Sequence, residues 1–89
     1  MNPALPGGDL IEAGMADLAR GVESIPALLV SIGAPRLRQL GFDLARVIED
    51  AEHRLYQRLA SENSDAAHSR YNALVRRLVS FERAAECAD

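Results

Sequence analysis

Residues 25–35, with the sequence IPALLVSIGAP, form the most continuously apolar stretch of this chain of 89 residues. Ser31 is its only polar side chain, so a helix formed by this stretch would have no face left for water. The stretch is much shorter than the roughly 20 apolar residues that a transmembrane helix needs. We therefore predict a buried helix that seeds the core, with the rest of the chain packed around it.

The composition is typical of a small globular protein built from helices. Apolar residues make up 48% of the chain and charged residues 26%, which argues against global disorder. The chain has no Trp, two Tyr and two Phe, so aliphatic side chains must fill most of the core, and this favours helices. We predict an all-α fold, a small bundle of four to five helices built on a C-terminal antiparallel helical hairpin. Residues 9–87 should form a single helical domain, and residues 1–8 a disordered N-terminal lead-in.

The first two helices are marked by capping residues. Asp9 and Glu12 have the spacing of a capping box, which predicts a first helix over residues 10–20. Gly14 lies on the apolar side of this helix and should let a neighbouring backbone approach closely. Ser24 should cap the apolar helix that follows.

A short helix is predicted over residues 35–40, after Gly33 ends the apolar helix. Together these segments have the outline of a helix-turn-helix, with residues 27–32 as the first helix. Arg36 and Arg38 on the second helix would then be the candidate DNA contacts. That helix is barely two turns long and its two arginines point to different faces, so DNA recognition by this motif is the minor interpretation.

The C-terminal half of the chain predicts two longer helices joined by a short polar loop. Asp43 should cap a third helix over residues 44–60, and the last helix should cover residues 65–86. The last helix carries an apolar stripe with alternating steps of four and three residues: Ala67, Tyr71, Leu74, Leu78, Phe81 and Ala85. The short loop implies that the two helices form an antiparallel hairpin.

Val75 and Val79 widen this stripe beyond what one neighbouring helix would cover. An apolar interaction surface should therefore remain for a partner, made of Tyr71, Leu74, Val75, Leu78 and Val79. A chain this short also gains stability by burying apolar surface against a partner. Our leading hypothesis is a small intracellular protein–protein interaction module that self-associates as a homodimer or binds another protein, without catalytic activity.

Four arginines of the last helix are expected to form one basic stripe: Arg70, Arg76, Arg77 and Arg83. The first three have no acidic residue three or four positions away on their own helix, so partners must come from elsewhere. The partners of these guanidinium groups could be carboxylates of the third helix or of a second subunit, or water. Alternatively, the stripe is an anion site for phosphate, nucleic acid or an acidic partner helix. The alternative function is a nucleic-acid-binding regulator that uses this stripe or the short helix after Gly33. A net charge of −3 gives no general attraction to nucleic acid and weakens this alternative.

His68, Tyr71 and Asn72 form a candidate polar pocket on the last helix. His68 and Asn72 are expected beside the core, where polar groups need hydrogen-bond partners. They would form either a satisfied hydrogen-bond cluster or the lining of a pocket or subunit seam, in which His68 responds to pH or acts as a base. No nucleophile accompanies them in a catalytic spacing, so we predict no enzyme activity.

No metal, cofactor or membrane partner is expected. Glu49 and His53 are four residues apart on the predicted third helix, beside Glu52, and one helical turn can present two metal ligands in this way. His53 lies opposite the apolar positions of this third helix, such as Leu55 and Leu59, which predicts a solvated face. Cys87 is the only cysteine, so an internal disulfide is excluded and a cytoplasmic location is favoured. The N-terminus lacks the apolar segment of a signal peptide or membrane anchor.

Overall fold

The computed structural model describes residues 5–44 and 46–87, and this part of the chain forms five α-helices and no strand. The helices are α1 (Gly8–Ala19), α2 (Ile25–Ile32), α3 (Ala34–Gln39), α4 (Ala51–Glu62) and α5 (Ala67–Cys87). Residues 63–66 join α4 to α5, and these two helices pack against each other. The predicted all-α bundle with a C-terminal helical hairpin is confirmed.

α2 lies at the centre of the bundle and packs against each of the other four helices, as its apolar sequence predicts. Its residues 27–30 are fully buried. Ser24 caps the helix as expected, because its side-chain oxygen accepts a hydrogen bond of 3.1 Å from the Ala27 amide. Other parts of the chain complete the core with apolar side chains: Ile11, Leu18, Ala34, Leu37, Leu44, Ala51, Leu55, Leu59, Ala67, Leu78 and Phe81.

α1 and α2 come into very close contact at Gly14. A β-carbon at this position would lie 2.5 Å from Val30 Cγ2 and 2.8 Å from the Pro26 carbonyl carbon, closer than packed side chains allow. Only the hydrogen atom of a glycine fits between the two helices. The expectation that Gly14 lets a neighbouring backbone approach closely is confirmed.

α1 begins at Gly8 rather than at residue 10, and the prediction that Asp9 and Glu12 form a capping box is wrong. The capping residue is Gly7, whose left-handed φ of 73° favours glycine, and no side chain caps the helix. Gly7 also lies against α5, where a β-carbon would come within 2.9 Å of the Arg77 carbonyl oxygen. This contact with a distant helix sets the start of α1, and a local sequence pattern does not reveal it.

The lead-in predicted over residues 1–8 overlaps the folded bundle. Residues 1–4 lie outside the described residues. Leu5 packs against the core, and its carbonyl oxygen accepts a hydrogen bond of 2.9 Å from the Gly8 amide. Residues 5–8 therefore belong to the folded structure, contrary to the expectation that they form part of a disordered segment.

The third helix predicted over residues 44–60 is wrong in its first part, because α4 starts later. In a helix, the Ile48 amide would donate to the Leu44 carbonyl oxygen. Instead, the Ile48 amide donates to Ser31 Oγ at 3.0 Å. The Leu44 carbonyl oxygen accepts two hydrogen bonds from the Arg38 guanidinium, at 2.7 and 3.2 Å. Because α2 and α3 bind both groups of this pair, the segment before α4 is irregular.

Asp50, not Asp43, is the residue that precedes α4. Asp50 has a left-handed φ of 57° and makes no side-chain capping hydrogen bond. Aspartate tolerates this conformation better than most residues, so it can turn the chain from the irregular segment into the helix. Asp43, predicted as the cap, lies within the irregular segment.

Candidate functional site

An apolar strip remains partly open to solvent on the outer side of the hairpin. Tyr71, Val75 and Val79 follow one another at intervals of four residues along α5, and Tyr56 of α4 meets Tyr71 with ring centroids 5.8 Å apart. Val79 is 37% exposed and Tyr56 is 40% exposed, whereas Tyr71 and Val75 are half-buried. We name these four residues the outer strip: Tyr56, Tyr71, Val75 and Val79.

Three of the residues predicted as an interaction surface lie in the outer strip, and two do not. Leu78 is only 3% exposed and belongs to the core, and Leu74 packs against the core. The assignment of Leu78 is wrong, because α2 and α4 pack against that side of α5. Leu74 is half-buried, as Tyr71 is, and both pack against the core. Sequence reasoning missed Tyr56, although its position three residues before the buried Leu59 places it at the edge of the apolar side of α4.

The four arginines of α5 do not form one stripe. Side chains seven residues apart lie about 20° apart around a helix, so Arg70 lies in line with Arg77, and Arg76 with Arg83. The two pairs are separated by about 100° or more, because Arg76 and Arg77 are consecutive residues. The predicted single stripe is therefore wrong, and the two pairs occupy different sides of the helix.

Arg70 and Arg77 bind carboxylates of the same chain. Arg70 donates to Glu62 Oε1 at 2.8 Å, and Arg77 donates to Asp9 Oδ1 at 3.4 Å. These partners come from α4 and α1, so each of the two guanidinium groups already has a carboxylate beside it. The Glu62 contact matches the expectation that other elements supply carboxylates to this helix.

Arg76 and Arg83 form the charged edge of the outer strip. Both are exposed, and neither makes an ion pair or a hydrogen bond with another residue in the described part of the chain. Arg76 is three residues before Val79 and Arg83 is four residues after it, and side chains at these spacings are neighbours on a helix surface. We name Arg76 and Arg83 the basic rim. The outer strip and the basic rim together are the candidate binding site.

The tyrosines of the outer strip add rings rather than charge. Burial and, to a smaller extent, the negative charge of Glu52 raise the pKa of Tyr71 above its ordinary value of 10.0. Tyr71 is therefore a neutral phenol at physiological pH. Its ring offers an apolar face to a partner, and its hydroxyl can donate or accept a hydrogen bond.

His68 and Asn72 do not lie beside the core. Both are exposed, and Asn72 Nδ2 lies 3.2 Å from His68 Nε2, within hydrogen-bond distance. Asn72 follows the half-buried Tyr71 by one residue, so it points about 100° away from it, towards solvent. The predicted polar pocket of these three residues is therefore wrong, and what remains is an exposed polar pair next to the outer strip.

A charged hollow of about 550 Å³ lies elsewhere, between Glu23 and the outer face of α4. Its other lining residues are Asp50, His53, Arg54, Gln57 and Arg58. Arg54 donates to Glu23 Oε1 at 2.8 Å, and Arg58 donates to the Glu23 carbonyl oxygen at 2.9 Å. Glu23 thus engages both arginines of this hollow.

The residues considered as metal ligands are not brought together. Glu49 lies in the turn before α4, so Glu49 and His53 do not share a helical face as predicted. Within residues 5–44 and 46–87, no three His, Cys, Asp or Glu side chains are grouped so that they could hold a metal ion. Cys87, at the end of α5, is exposed and unpaired in this part of the chain.

The short helix α3 does not present free arginines for DNA. Arg36 forms an ion pair with Glu86 of α5, and Arg38 binds the Leu44 carbonyl oxygen. The helix covers only six residues, too few to place side chains along a groove of DNA in the manner of a recognition helix. The predicted DNA contacts of this helix are therefore engaged within the chain.

Glu82 lies next to this contact between α3 and α5. Its Oε2 atom is buried and has no hydrogen-bond partner among the described residues, and it faces Gly33. Burial raises the pKa of Glu82, and the positive charge of Arg36 opposes this shift. The carboxyl group is thus held in a place that disfavours its charged form.

Comparison of the chain with protein-family models, with curated proteins and with solved structures finds no match. None of the helices in the described ranges is both long and apolar enough to cross a membrane. The outer strip and the basic rim are the surface features from which a function can be inferred.

Proposed function

We propose that the protein is a small helical protein–protein interaction module, without catalytic activity, that binds other protein chains through the outer strip. The observation that carries this proposal is the exposure of Val79 and Tyr56 beside the half-buried Tyr71 and Val75. Covering such side chains with a partner removes apolar surface from water, at about 25 cal/mol for each Å². Self-association as a homodimer and a cytoplasmic location are parts of the same proposal.

Two properties of the strip support protein binding. Tyrosine is enriched among the residues that dominate binding energy, because it buries a large rigid ring and keeps one polar group. The strip also lies on two helices whose opposite sides are packed into the core, so its side chains are held in place before binding. A surface that is already ordered loses little conformational entropy when a partner covers it.

Sedimentation and light scattering test the self-association part of the proposal. The protein is kept under reducing conditions, because the exposed Cys87 could otherwise crosslink two chains. We expect dimers at high micromolar concentration, and we expect Val79→Asp to shift the protein to monomers. Val22→Asp is the matched control, because Val22 is 44% exposed in the connection between α1 and α2, outside the outer strip. A monomeric native protein at these concentrations would refute self-association.

A nucleic-acid-binding regulator is the second candidate, and the basic rim is the observation in its favour. Arg76 and Arg83 have no carboxylate partner among the described residues, so they could contact phosphates. The net charge of −3 and the engaged arginines of α3 count against this function. Binding to a DNA duplex at two salt concentrations decides it, since phosphate contacts strengthen as salt falls. No affinity at low salt would end this candidate.

A further inference from the structure

We infer that the outer strip and the basic rim bind an acidic amphipathic helix of a partner protein. This inference rests on the proposed function and adds the chemistry of the partner. Apolar side chains of the partner helix would cover Val75 and Val79, and its carboxylates would face Arg76 and Arg83.

The shape of the outer strip matches one face of a helix. Tyr71 and Val79 are eight residues apart, which places them about 12 Å from each other along α5. Amphipathic helices present apolar side chains at positions i, i+4 and i+7 over a similar length. A partner helix laid along α5 can therefore contact the whole strip with its apolar face.

The charge beside the strip selects the partner. Arg76 and Arg83 lie about 10.5 Å apart along the helix, a spacing that carboxylates seven residues apart on a partner helix would match. Glu62 and Asp9 lie beside Arg70 and Arg77 on a different side of α5, whereas the basic rim has no such partner among the described residues. The basic rim is thus a local positive site on a chain whose net charge is −3, and it favours a partner with acidic residues beside its apolar face.

The same charges disfavour two other ligands of this surface. If the α5 helices of two copies packed antiparallel about Val75 and Val79, Arg76 would lie close to its counterpart in the second copy, and the two would repel each other. This repulsion limits self-association through the outer strip to high micromolar concentrations, where an acidic helix would still bind more tightly. The phosphates of a nucleic acid would contact the arginines of the basic rim, but its bases could not stack on the valines, because aliphatic side chains have no aromatic ring. An acidic amphipathic helix uses both the apolar and the charged parts of the surface.

The first experiment measures binding of two synthetic peptides to the full chain by fluorescence anisotropy, under reducing conditions. The test peptide is an amphipathic helix of about 18 residues with leucines at i, i+4, i+7 and i+11 and glutamates beside them. The control peptide has lysines in place of the glutamates. We expect the glutamate peptide to bind at least about tenfold more tightly, and its affinity to fall as salt rises. Equal affinity for the two peptides would overturn the inference.

Charge reversal in the protein tests the position of the site. Arg76→Glu and Arg83→Glu should each weaken binding of the glutamate peptide by about fivefold, and the double variant should prefer the lysine peptide. Arg46→Glu is the matched control, because Arg46 is exposed, lies beside the end of α1 and changes the net charge equally. Equal effects of Arg46→Glu and Arg83→Glu would overturn the inference, because the effect would then follow net charge alone.

The remaining outcomes separate this inference from the proposed function. If Val79→Asp weakens the binding of both peptides equally and the rim variants do not, the strip binds protein but does not select acidic partners, and only the inference fails. If neither peptide binds and the native chain is a monomer, both fail. A third outcome is that neither peptide binds but a DNA duplex does, and that the double variant Arg76→Glu with Arg83→Glu no longer binds the duplex. The surface would then be a nucleic-acid-binding site, and the inference would be overturned.

Discussion

Replacing Gly14 by alanine tests the closest contact between two helices of this bundle. Helix propensity alone predicts that Gly14→Ala stabilises the protein by about 1 kcal/mol, because Gly14 lies within α1. The structure predicts the opposite. The new methyl group would lie 2.5 Å from Val30 Cγ2 and 2.8 Å from the Pro26 carbonyl carbon. Neither group can move away easily, because one is a backbone group and the other is a fully buried side chain.

The size of the effect follows from the overlap. α1 must shift away from α2, and the shift loosens the packing of Ile11 and Leu18, which are buried on the same helix. Overpacking of this kind costs about 3 kcal/mol at the upper end of its usual range. The higher helix propensity of alanine offsets about 1 kcal/mol of this cost, so the free energy of unfolding falls by about 2 kcal/mol. For a domain of this size, that loss lowers the melting temperature by about 8 to 16 °C.

Thermal and urea unfolding followed by circular dichroism measure this loss. Ala13→Gly is the control, because Ala13 is the exposed neighbour in the same helix and its replacement costs only the propensity of about 1 kcal/mol. We expect Gly14→Ala to be less stable than both the native protein and the control. If Gly14→Ala is as stable as the native protein or more stable, the close contact between α1 and α2 is refuted.

Three further changes test the core and its polar contacts. Leu29→Ala should lower the free energy of unfolding by about 2 to 5 kcal/mol in urea, because Leu29 is fully buried; a loss below about 0.5 kcal/mol would place it at the surface. Ser31→Ala should lower it by about 1 to 3 kcal/mol, because the Ile48 amide loses its acceptor; no loss would mean that water replaces the hydroxyl. Glu82→Gln tests the raised pKa of Glu82. Because the folded protein binds the proton of the Glu82 carboxyl group more tightly than the unfolded chain does, the free energy of unfolding falls as pH rises from 4.5 through the raised pKa. The variant should therefore be more stable than the native protein at pH 7 and lose this advantage below pH 4.5, and urea midpoints at both pH values check it.

Part of the candidate site could be predicted from the sequence. The width of the apolar stripe on α5 correctly indicates that Val75 and Val79 lie beyond the core. A helix has 3.6 residues per turn whatever packs against it, so the sequence alone gives the direction of each side chain around the helix. Tyr56 joins the site only when α4 and α5 pack and bring its ring to Tyr71, so its role depends on the register of the hairpin. The basic rim follows in the same way, because Glu62 and Asp9 engage the other two arginines of α5 only in the folded chain.

The sequence by itself determines the helical fold class and the buried central helix. These features follow from interactions within a few residues, namely the Ser24 cap, the apolar run of α2 and the helical spacing of apolar side chains. The tertiary structure alone decides the start of α1 and the irregular segment before α4. There, Gly7 fits against the backbone of α5, and the side chains of Ser31 and Arg38 bind backbone groups that a helix would have paired with each other. Such contacts join residues distant in the chain, so a pattern of neighbouring residues does not contain them.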